Sequence, residues 1–541
     1  MYLFYLTFFF ENLELNKDIH LSDSMKSPYF PARSVLFHKQ PSGVTYRVPA
    51  LLYLPRFRWF LAFCEERLSP SDSEAHLLVM RKGTFYRNYV EVRGHVCLSV
   101  CLSIYLSPHP PSPLMFQWDD MRVLGTAVLT GHRSMNPCPV YDEFTGTLFL
   151  FFISVLGHTS ETYQLVTGRN VTRLCYICST DGGDTWTDVT DLTERVIGDK
   201  VKEWATFALG PGHGIQLKSG RLLIPAYAYH IECRECFGQL CLTTPRAFCF
   251  LSDTHGRSWR FGEAVPGPES VECQMVSVDQ EDGRNLLYCN ARSRLGYRVQ
   301  ALSLDDGAVF QEGQPVPRLV EPPNGCHGSI VGFPAPLYLH RSPEGSVDCS
   351  RHWTAFSDLG PFFTKTPDTL PVSPSRSSSP DFLTPTWVLY SHPTWTTARR
   401  DLGVFLSLFP RDPDSWHGPW VIYEGPSAYS DLAYVELPSS DGAAPPADGA
   451  APAVAFACLF ECGSKTAYDE ICFSVFTLYE LVDNLPQGSQ LGKDRRAETE
   501  VSERDQSSGG DARRLSKSQQ MPHVKKRRKK SRLPGMGCAC F

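Results

Sequence analysis

Ser179-Thr180-Asp181-Gly182-Gly183-Asp184-Thr185-Trp186 recurs as Ser252-Asp253-Thr254-His255-Gly256-Arg257-Ser258-Trp259 and, more degenerate, as Ser303-Leu304-Asp305-Asp306-Gly307-Ala308-Val309-Phe310. Each copy has the chemistry of a hairpin tip. A short polar side chain caps turn amides, a glycine takes a left-handed dihedral, and the terminal aromatic plugs into its own sheet. The second copy carries Thr254 where the others carry an acid, so its cap must differ. One such octapeptide is a weak signal, because turns favour these residues anyway. Three copies at blade-sized intervals indicate a fold built by repeating one hairpin unit.

The sequence around the repeats reads the same way. GTLFLFFISV (146–155), RLLIPAYAY (221–229), NLLYCNAR (285–292), TWVLYSH (386–392) and EICFSVFTL (470–478) are short β-branched or aromatic runs bounded by Gly, Pro, Asp or Ser. Long amphipathic helical stretches are scarce. The chain is therefore expected to be all-β, as a sandwich, barrel or propeller, and the repeat favours the propeller.

The 541 residues suffice for a large core, and 42% apolar content with 42 Pro and 40 Gly describes a turn-rich globular protein. Nineteen cysteines without framework spacing point to reduced thiols of an intracellular protein. Cys233-Arg234-Glu235-Cys236 lacks a second pair at zinc spacing and is expected to be a structural thiol pair. Gly210-Pro211-Gly212-His213-Gly214 lacks the Lys-Ser/Thr of a phosphate loop and reads as a tight turn. The apolar first ten residues have no basic leader and are too short to span a bilayer, so neither a secretory signal nor a transmembrane helix is expected. Residues 1–33 read as an extension, 34–483 as the β domain and 484–541 as a disordered polar and basic tail. Within the domain, 94–116 is a low-complexity insert and 334–385 a Pro/Ser-rich loop.

Arg47 in Thr45-Tyr46-Arg47-Val48-Pro49-Ala50-Leu51-Leu52-Tyr53 stands in a run with the composition of a buried strand, and a buried guanidinium needs an anionic partner. Further arginines end NLLYCNAR (Arg292) and occupy the stretch after Ser391-His392-Pro393 (Arg399). TYRVP, CEERLSPSD, GHRSMNPCP, GPGHG, IPAYAY, VECQ, NARS, YSHP, AYSDL and CLFE occur in the order found in vertebrate exo-α-sialidases, a family of glycoside hydrolases. The chain resembles that family over about 34–483, interrupted by the two inserts, and the octapeptides resemble its Asp boxes.

The resemblance implies a six-bladed β-propeller with its active site on the central axis. It implies that Arg47, Arg292 and Arg399 form a triad for the sialic acid carboxylate, a planar bidentate task that suits arginine and not lysine. Glu461 would orient Arg47. Tyr429 would be the nucleophile and Glu272 its base, and Asp72 in the Pro/Ser loop after Arg67 the general acid–base. A neutral phenol attacks a carbon that bears a carboxylate without the repulsion a second carboxylate would meet. Arg67, Asn136, Glu161, Tyr227 and Tyr229 would contact the sugar's hydroxyl, N-acyl and glycerol groups. Sialylated gangliosides, glycoproteins and oligosaccharides are the implied substrates, with no cofactor and no metal. A sialic-acid-binding propeller without turnover, a lectin, is the alternative; it would keep the arginines and have no need of Asp72, Tyr429 or Glu272.

Lys525-Lys526-Arg527-Arg528-Lys529-Lys530-Ser531-Arg532 concentrates positive charge in the tail, so the net charge of −6 conceals a more acidic body with no nucleic-acid signature. The final Cys538-Ala539-Cys540-Phe541 fits a prenylation pattern loosely at Cys538, and a lipid beside a polybasic run gives stable anchoring. The expected location is intracellular, in the cytoplasm and peripherally on endomembranes or lysosomes. A nuclear localisation signal in 525–532 is the alternative.

Overall fold

The computed structural model describes residues 29–86, 115–234, 241–280, 283–335, 384–437 and 453–486. Their strands form six antiparallel blades built on four strands each, with the two-residue strands Arg122–Val123 and Ile215–Gln216 added to blades one and three. Blade one is Thr45–Leu54, Trp59–Arg67, Ala75–Tyr86 and Met115–Trp118; blade two is His132–Asp142, Thr147–Leu156, Thr172–Ser179 and Thr190–Asp191. Blade three is Trp204–Leu209, Leu222–Cys233, Leu242–Ser252 and Arg260–Phe261; blade four is Cys273–Asp279, Asn285–Ala291, Tyr297–Ser303 and Gln314–Val320. Blade five runs from Ser329–Pro334 through Thr386–Pro393 and Arg400–Ser407 into the first half of the long strand Trp416–Leu437. The second half of that strand opens blade six, followed by Ala453–Cys462 and Glu470–Thr477. Its outer edge is Arg33–His38, so the start of the described chain closes the ring.

Burial explains why inner strands read as unbroken apolar runs and outer ones do not. Trp204–Leu209 is buried at every position, whereas Gln314–Val320 is buried only at Val316 and Leu319. An inner strand packs on both neighbouring blades, so neither face can alternate with polar residues. Apolar clusters fill the seams between successive blades; one of them joins Ala433, Val435 and Phe473 of blade six to Leu51 and Phe60 of blade one.

The octapeptides sit between the third and fourth strands of blades two, three and four. Asp181 accepts the Thr185 amide at 3.0 Å and its hydroxyl at 2.6 Å, and Asp305 accepts the Val309 amide at 2.9 Å. In the second copy the hydroxyl of Thr254 replaces the carboxylate and takes the Ser258 amide at 2.8 Å. The aromatics go further than the sequence expectation, because they share an apolar cluster with the preceding blade as well as with their own. Trp186 meets Phe63 of blade one edge-on, and Trp259 stands 4.7 Å from Phe151 of blade two. The glycine is needed twice over in the second copy: Gly256 has φ +79° and a Cβ there would lie 2.2 Å from the Phe149 ring of blade two.

At the axis, Asp431 of blade six is fully buried and collects donors from four other blades. Its carboxylate accepts from Leu51 N at 2.7 Å, His213 Nδ1 at 2.8 Å, Gln274 Nε2 at 3.3 Å and Ser329 Oγ at 2.7 Å. The glycine-rich turn at 210–214 is thus tight because it delivers His213 to this carboxylate, while Gly214 N donates to Pro139 O of blade two at 2.8 Å.

The extension 1–33 is described only from Tyr29, and Arg33 already belongs to the closing strand. The insert 94–116 overlaps the strand Met115–Trp118 and otherwise lies outside the described residues, as do most of 334–385 and all of 487–541. The expectation of reduced thiols fails at one position: Cys233 is disulfide-bonded, whereas Cys64, Cys138 and ten other described cysteines are free. Cys236 lies outside the described residues.

Candidate active site

Three inner strands break register next to the axis: Thr45–Leu54 between Arg47 and Ala50, His132–Asp142 between Met135 and Cys138, and Trp416–Leu437 between Ser427 and Ser430. A bulge places an extra residue on one strand and re-aims the side chains around it. Arg47, Asn136 and Tyr429 all sit at these bulges. Val48 and Asn136 adopt φ of 59° and 54°, a conformation costing ~1–3 kcal/mol for residues other than glycine. Each precedes a proline, and each has its amide held by a buried carboxylate. Glu461 takes Val48 N at 2.8 Å, and Glu65 takes Asn136 N at 2.7 Å.

The three arginines predicted from sequence converge on Tyr429. Arg47 and Arg399 place their guanidinium carbons 5.7 and 5.5 Å from the Tyr429 ring centroid, and Arg292 Nη1 donates to its hydroxyl at 3.1 Å. Glu461 orients Arg47 through Nε at 2.7 Å and takes the Tyr429 amide at 3.1 Å. Burial opposes the charge on Arg47, yet the Glu461 carboxylate holds its pKa above the usual arginine value. Arg292 spends Nη1 on Glu272 at 2.6 Å and Nε and Nη2 on the carbonyl of Asn324, while Arg399 donates to Gly325 O at 2.9 Å. A guanidinium has five N–H groups, so each arginine keeps donors for an incoming anion.

Tyr429 donates its hydroxyl to Glu272 Oε1. Burial and then the Glu272 charge push this phenol well above its ordinary range, against the opposing pull of Arg292 and Arg399. It is a neutral phenol with an acceptor in place for its proton.

Asp72 opens a short helical turn, Asp72–Glu74, and pairs with Arg67 Nη1. Its side chain reaches solvent at the pocket mouth while protein crowds its other sides. Burial would raise its pKa, but Arg67 and Arg47 hold it below the usual carboxylate value. Arg133 ties this turn to the next loop, donating to Asp72 O at 3.3 Å, Gly157 O at 2.6 Å and Thr159 O at 2.6 Å. That loop leads into the helix Glu161–Thr167, capped by Ser160, which presents Glu161. Glu161 is exposed to solvent on one side, yet desolvation by the surrounding protein, followed by the charges of Asp72 and Glu272, lifts its pKa to about 7. Tyr227 and Tyr229, one turn of the pleat apart with rings 6.0 Å from each other, have their phenols raised by burial and next by Glu161.

The sequence reading missed several residues that shape the site. Glu65 sits two residues before Arg67 on the same strand face and donates nothing to composition-based reading, although CEER carries it; it accepts Arg67 Nε at 2.7 Å. Tyr468 covers Arg47, 3.8 Å from its ring centroid to the guanidinium carbon, and its hydroxyl accepts Arg399 Nη1 at 3.4 Å. Cys538 lies outside the described residues. Among the described residues, Cys462, Glu470 and Cys472 form a cluster of metal-ligand type, but the guanidinium of Arg33 already stands 3.7 and 3.6 Å from the two sulfurs.

A six-bladed ring whose axis carries an arginine cluster and a phenol–carboxylate pair defines the sialidase class of propellers. Comparisons with known proteins agree: a BNR repeat-like domain matches residues 102–438. Mouse sialidase-4 is 45% identical over 499 residues, covering 85% of this chain and 96% of that protein, and human sialidase-3 is 40% identical with 84% and 94% covered. The Hadza microbial sialidase Hz136 superposes with a TM-score of 0.53 at 18% identity, covering 81% of this chain and 66% of that one. The chain belongs to the sialidase family.

Proposed function

We propose that this chain is an exo-α-sialidase that hydrolyses terminal α-linked sialic acid from gangliosides, glycoproteins and oligosaccharides, with retention, through a tyrosyl-enzyme intermediate. The observation that carries the reading is the convergence of Arg47, Arg292 and Arg399 on a phenol that is hydrogen-bonded to Glu272. The arginines bind the carboxylate and fix the anomeric carbon beside Tyr429. Tyr429 Oη attacks that carbon as its proton passes to Glu272, and Asp72 protonates the departing oxygen. In the second half Asp72 takes a proton from water, the water attacks, and Tyr429 leaves and recovers its proton from Glu272.

A general acid must carry its proton, and Asp72 is ionised in its pairing with Arg67. The sugar therefore has to draw Arg67 away or carry Asp72 off it as it enters. A lectin needs the arginines alone; the Tyr429–Glu272 proton path would have no task there. Turnover of a fluorogenic α-sialoside followed by NMR separates these readings. The α-anomer of free sialic acid should appear first. Binding without release establishes the lectin, and the β-anomer first removes the covalent intermediate.

Glu161 sets a pH limb. Below about 7 its carboxyl holds a proton and donates to a substrate hydroxyl; above that it adds a negative charge beside Asp72 and Glu272. kcat/KM is expected to fall as pH rises through about 7, and Glu161→Gln to flatten that limb. A limb unchanged in the variant assigns it to another group.

For the tail we propose peripheral membrane attachment through 525–532 together with a lipid on Cys538, supported by the polybasic run and the terminal tetrapeptide. A prenyl analogue should label the wild type and not Cys538→Ser. No label, with nuclear accumulation of a reporter carrying 525–532, would establish the nuclear alternative.

A further inference from the structure

Beneath the arginine cluster lies a second set of charges that the reaction does not use. Arg298, Glu321 and His392 are 0%, 2% and 1% exposed and meet one another in blades four and five. Arg298 Nη1 donates to Glu321 Oε1 at 3.0 Å, and His392 Nε2 stands 3.1 Å from Glu321 Oε2. Burial alone would raise the Glu321 pKa, but His392, Arg298 and the Cys326 amide hold it down to about 2. Taking the charges of Arg298 and Glu321 out of water is expensive, and apolar side chains of similar volume commonly stabilise a core as well or better. Stability gives no reason for the network to be ionic.

Its contacts give one. Glu321 Oε2 accepts Cys326 N at 2.8 Å, Arg298 Nη1 donates to Cys326 O at 2.8 Å, and His392 Nε2 lies 3.3 Å from the same oxygen. All three residues therefore grip the far end of the loop 322–326, and Glu321 is also its near end. Within this loop Asn324 and Gly325 take φ of +63° and +71°, a left-handed pair that no strand partner supports. That backbone turns the two carbonyls into the site. Asn324 O receives Arg292 Nε at 3.0 Å and Nη2 at 2.6 Å, and Gly325 O receives Arg399 Nη2 at 2.9 Å. Two neighbouring guanidinium groups repel each other, so their convergence needs fixed acceptors. The fit is close: a Cβ on Gly325 would lie 2.8 Å from Arg292 Cγ and from Ser293 O, and 2.9 Å from Arg292 Nε.

We propose that Glu321, with Arg298 and His392, is a positioning residue for the carboxylate site: the network fixes the loop 322–326, whose carbonyls set Arg292 and Arg399 at the spacing a carboxylate requires. This rests on the sialidase reading above. None of the three touches substrate; they act through the loop.

The test compares two ligands on each protein: a dehydro sialic acid analogue, and the same compound with its carboxylate converted to a primary amide. Misplaced arginines weaken the charged ligand selectively, whereas general loosening weakens both. Glu321→Gln removes the charge at constant shape, and Gly325→Ala leaves Glu321, Arg298 and His392 unsubstituted but pushes a methyl against Arg292 and the Ser293 carbonyl at a left-handed position. Both are expected to weaken the carboxylate ligand by about tenfold or more, the worth of one charge-assisted contact, and the amide by less than about twofold. KM for a fluorogenic sialoside should rise with the first ligand and not the second. Wild-type discrimination in Gly325→Ala, or equal losses for both ligands, overturns the proposal; should Glu321→Gln fail to fold, Gly325→Ala decides alone. A wild-type protein inert towards sialosides overturns the underlying sialidase reading instead.

Discussion

Tyr429→Phe is expected to lower kcat by about four orders of magnitude or more while leaving the carboxylate analogue bound within about threefold of wild type. The substitution removes one oxygen and nothing else from the ring that Arg47 and Arg399 flank. Arg292 loses a 3.1 Å contact but keeps Glu272 and the Asn324 carbonyl, so the cluster should stay in place. What disappears is the atom that would bond to the anomeric carbon and the proton path to Glu272. A loss of only about tenfold would mean that water attacks directly with Glu272 as base, and the covalent step would have to be abandoned. Glu272→Gln gives the complementary measurement: the phenol remains but its proton has nowhere to go, so kcat should fall with ligand affinity again preserved.

Asp431→Ala should lower the midpoint of thermal unfolding severely, although residue 431 lies outside the chemistry. Leu51 N and His213 Nδ1 would lose their acceptor, and Gln274 Nε2 and Ser329 Oγ would be left with Pro211 O and Gln274 Oε1 alone. A buried donor without a partner costs ~1–3 kcal/mol, so the loss takes a large share of the ~5–15 kcal/mol that holds an ordinary domain together. Asp431→Asn keeps one accepting oxygen and should fall between, detectable as a lowered midpoint of thermal unfolding. An alanine variant that unfolds within a few degrees of wild type would show that the donors find water and that the axis is not dry.

Fold and site were legible in the sequence to different depths, for physical reasons. The hairpin tips announce themselves because turn chemistry is local: Ser, Asp and Gly must stand at fixed offsets to cap amides within a few residues. The preceding blade's share in holding their aromatics is not legible, because partners such as Phe63 and Phe151 belong to a different stretch of chain, which turn residues do not specify. The arginines, Tyr429 and Glu272 were identified through the ordered motifs; taken singly, each has the composition of a strand or surface residue. Glu65, Tyr468 and Glu321 escaped because their work is to hold other side chains or a loop, and such partners sit far away in sequence or hide within unremarkable runs. The bulges at Val48 and Asn136 left a faint trace, since both precede proline and proline narrows the conformations open to its predecessor.

The closing strand has a consequence for how the protein is made. Ser474 Oγ donates to Ala32 O at 2.9 Å, joining residues 442 apart in sequence. At ~5–20 residues per second, a ribosome needs roughly 20–90 s to travel that distance. Until then Arg33–His38 has emerged with no edge to join, and blade one stands without the blade that covers Leu51 and Phe60. The nascent chain thus carries an unmatched strand and an open apolar face through most of its synthesis, and both are covered only when the ring shuts.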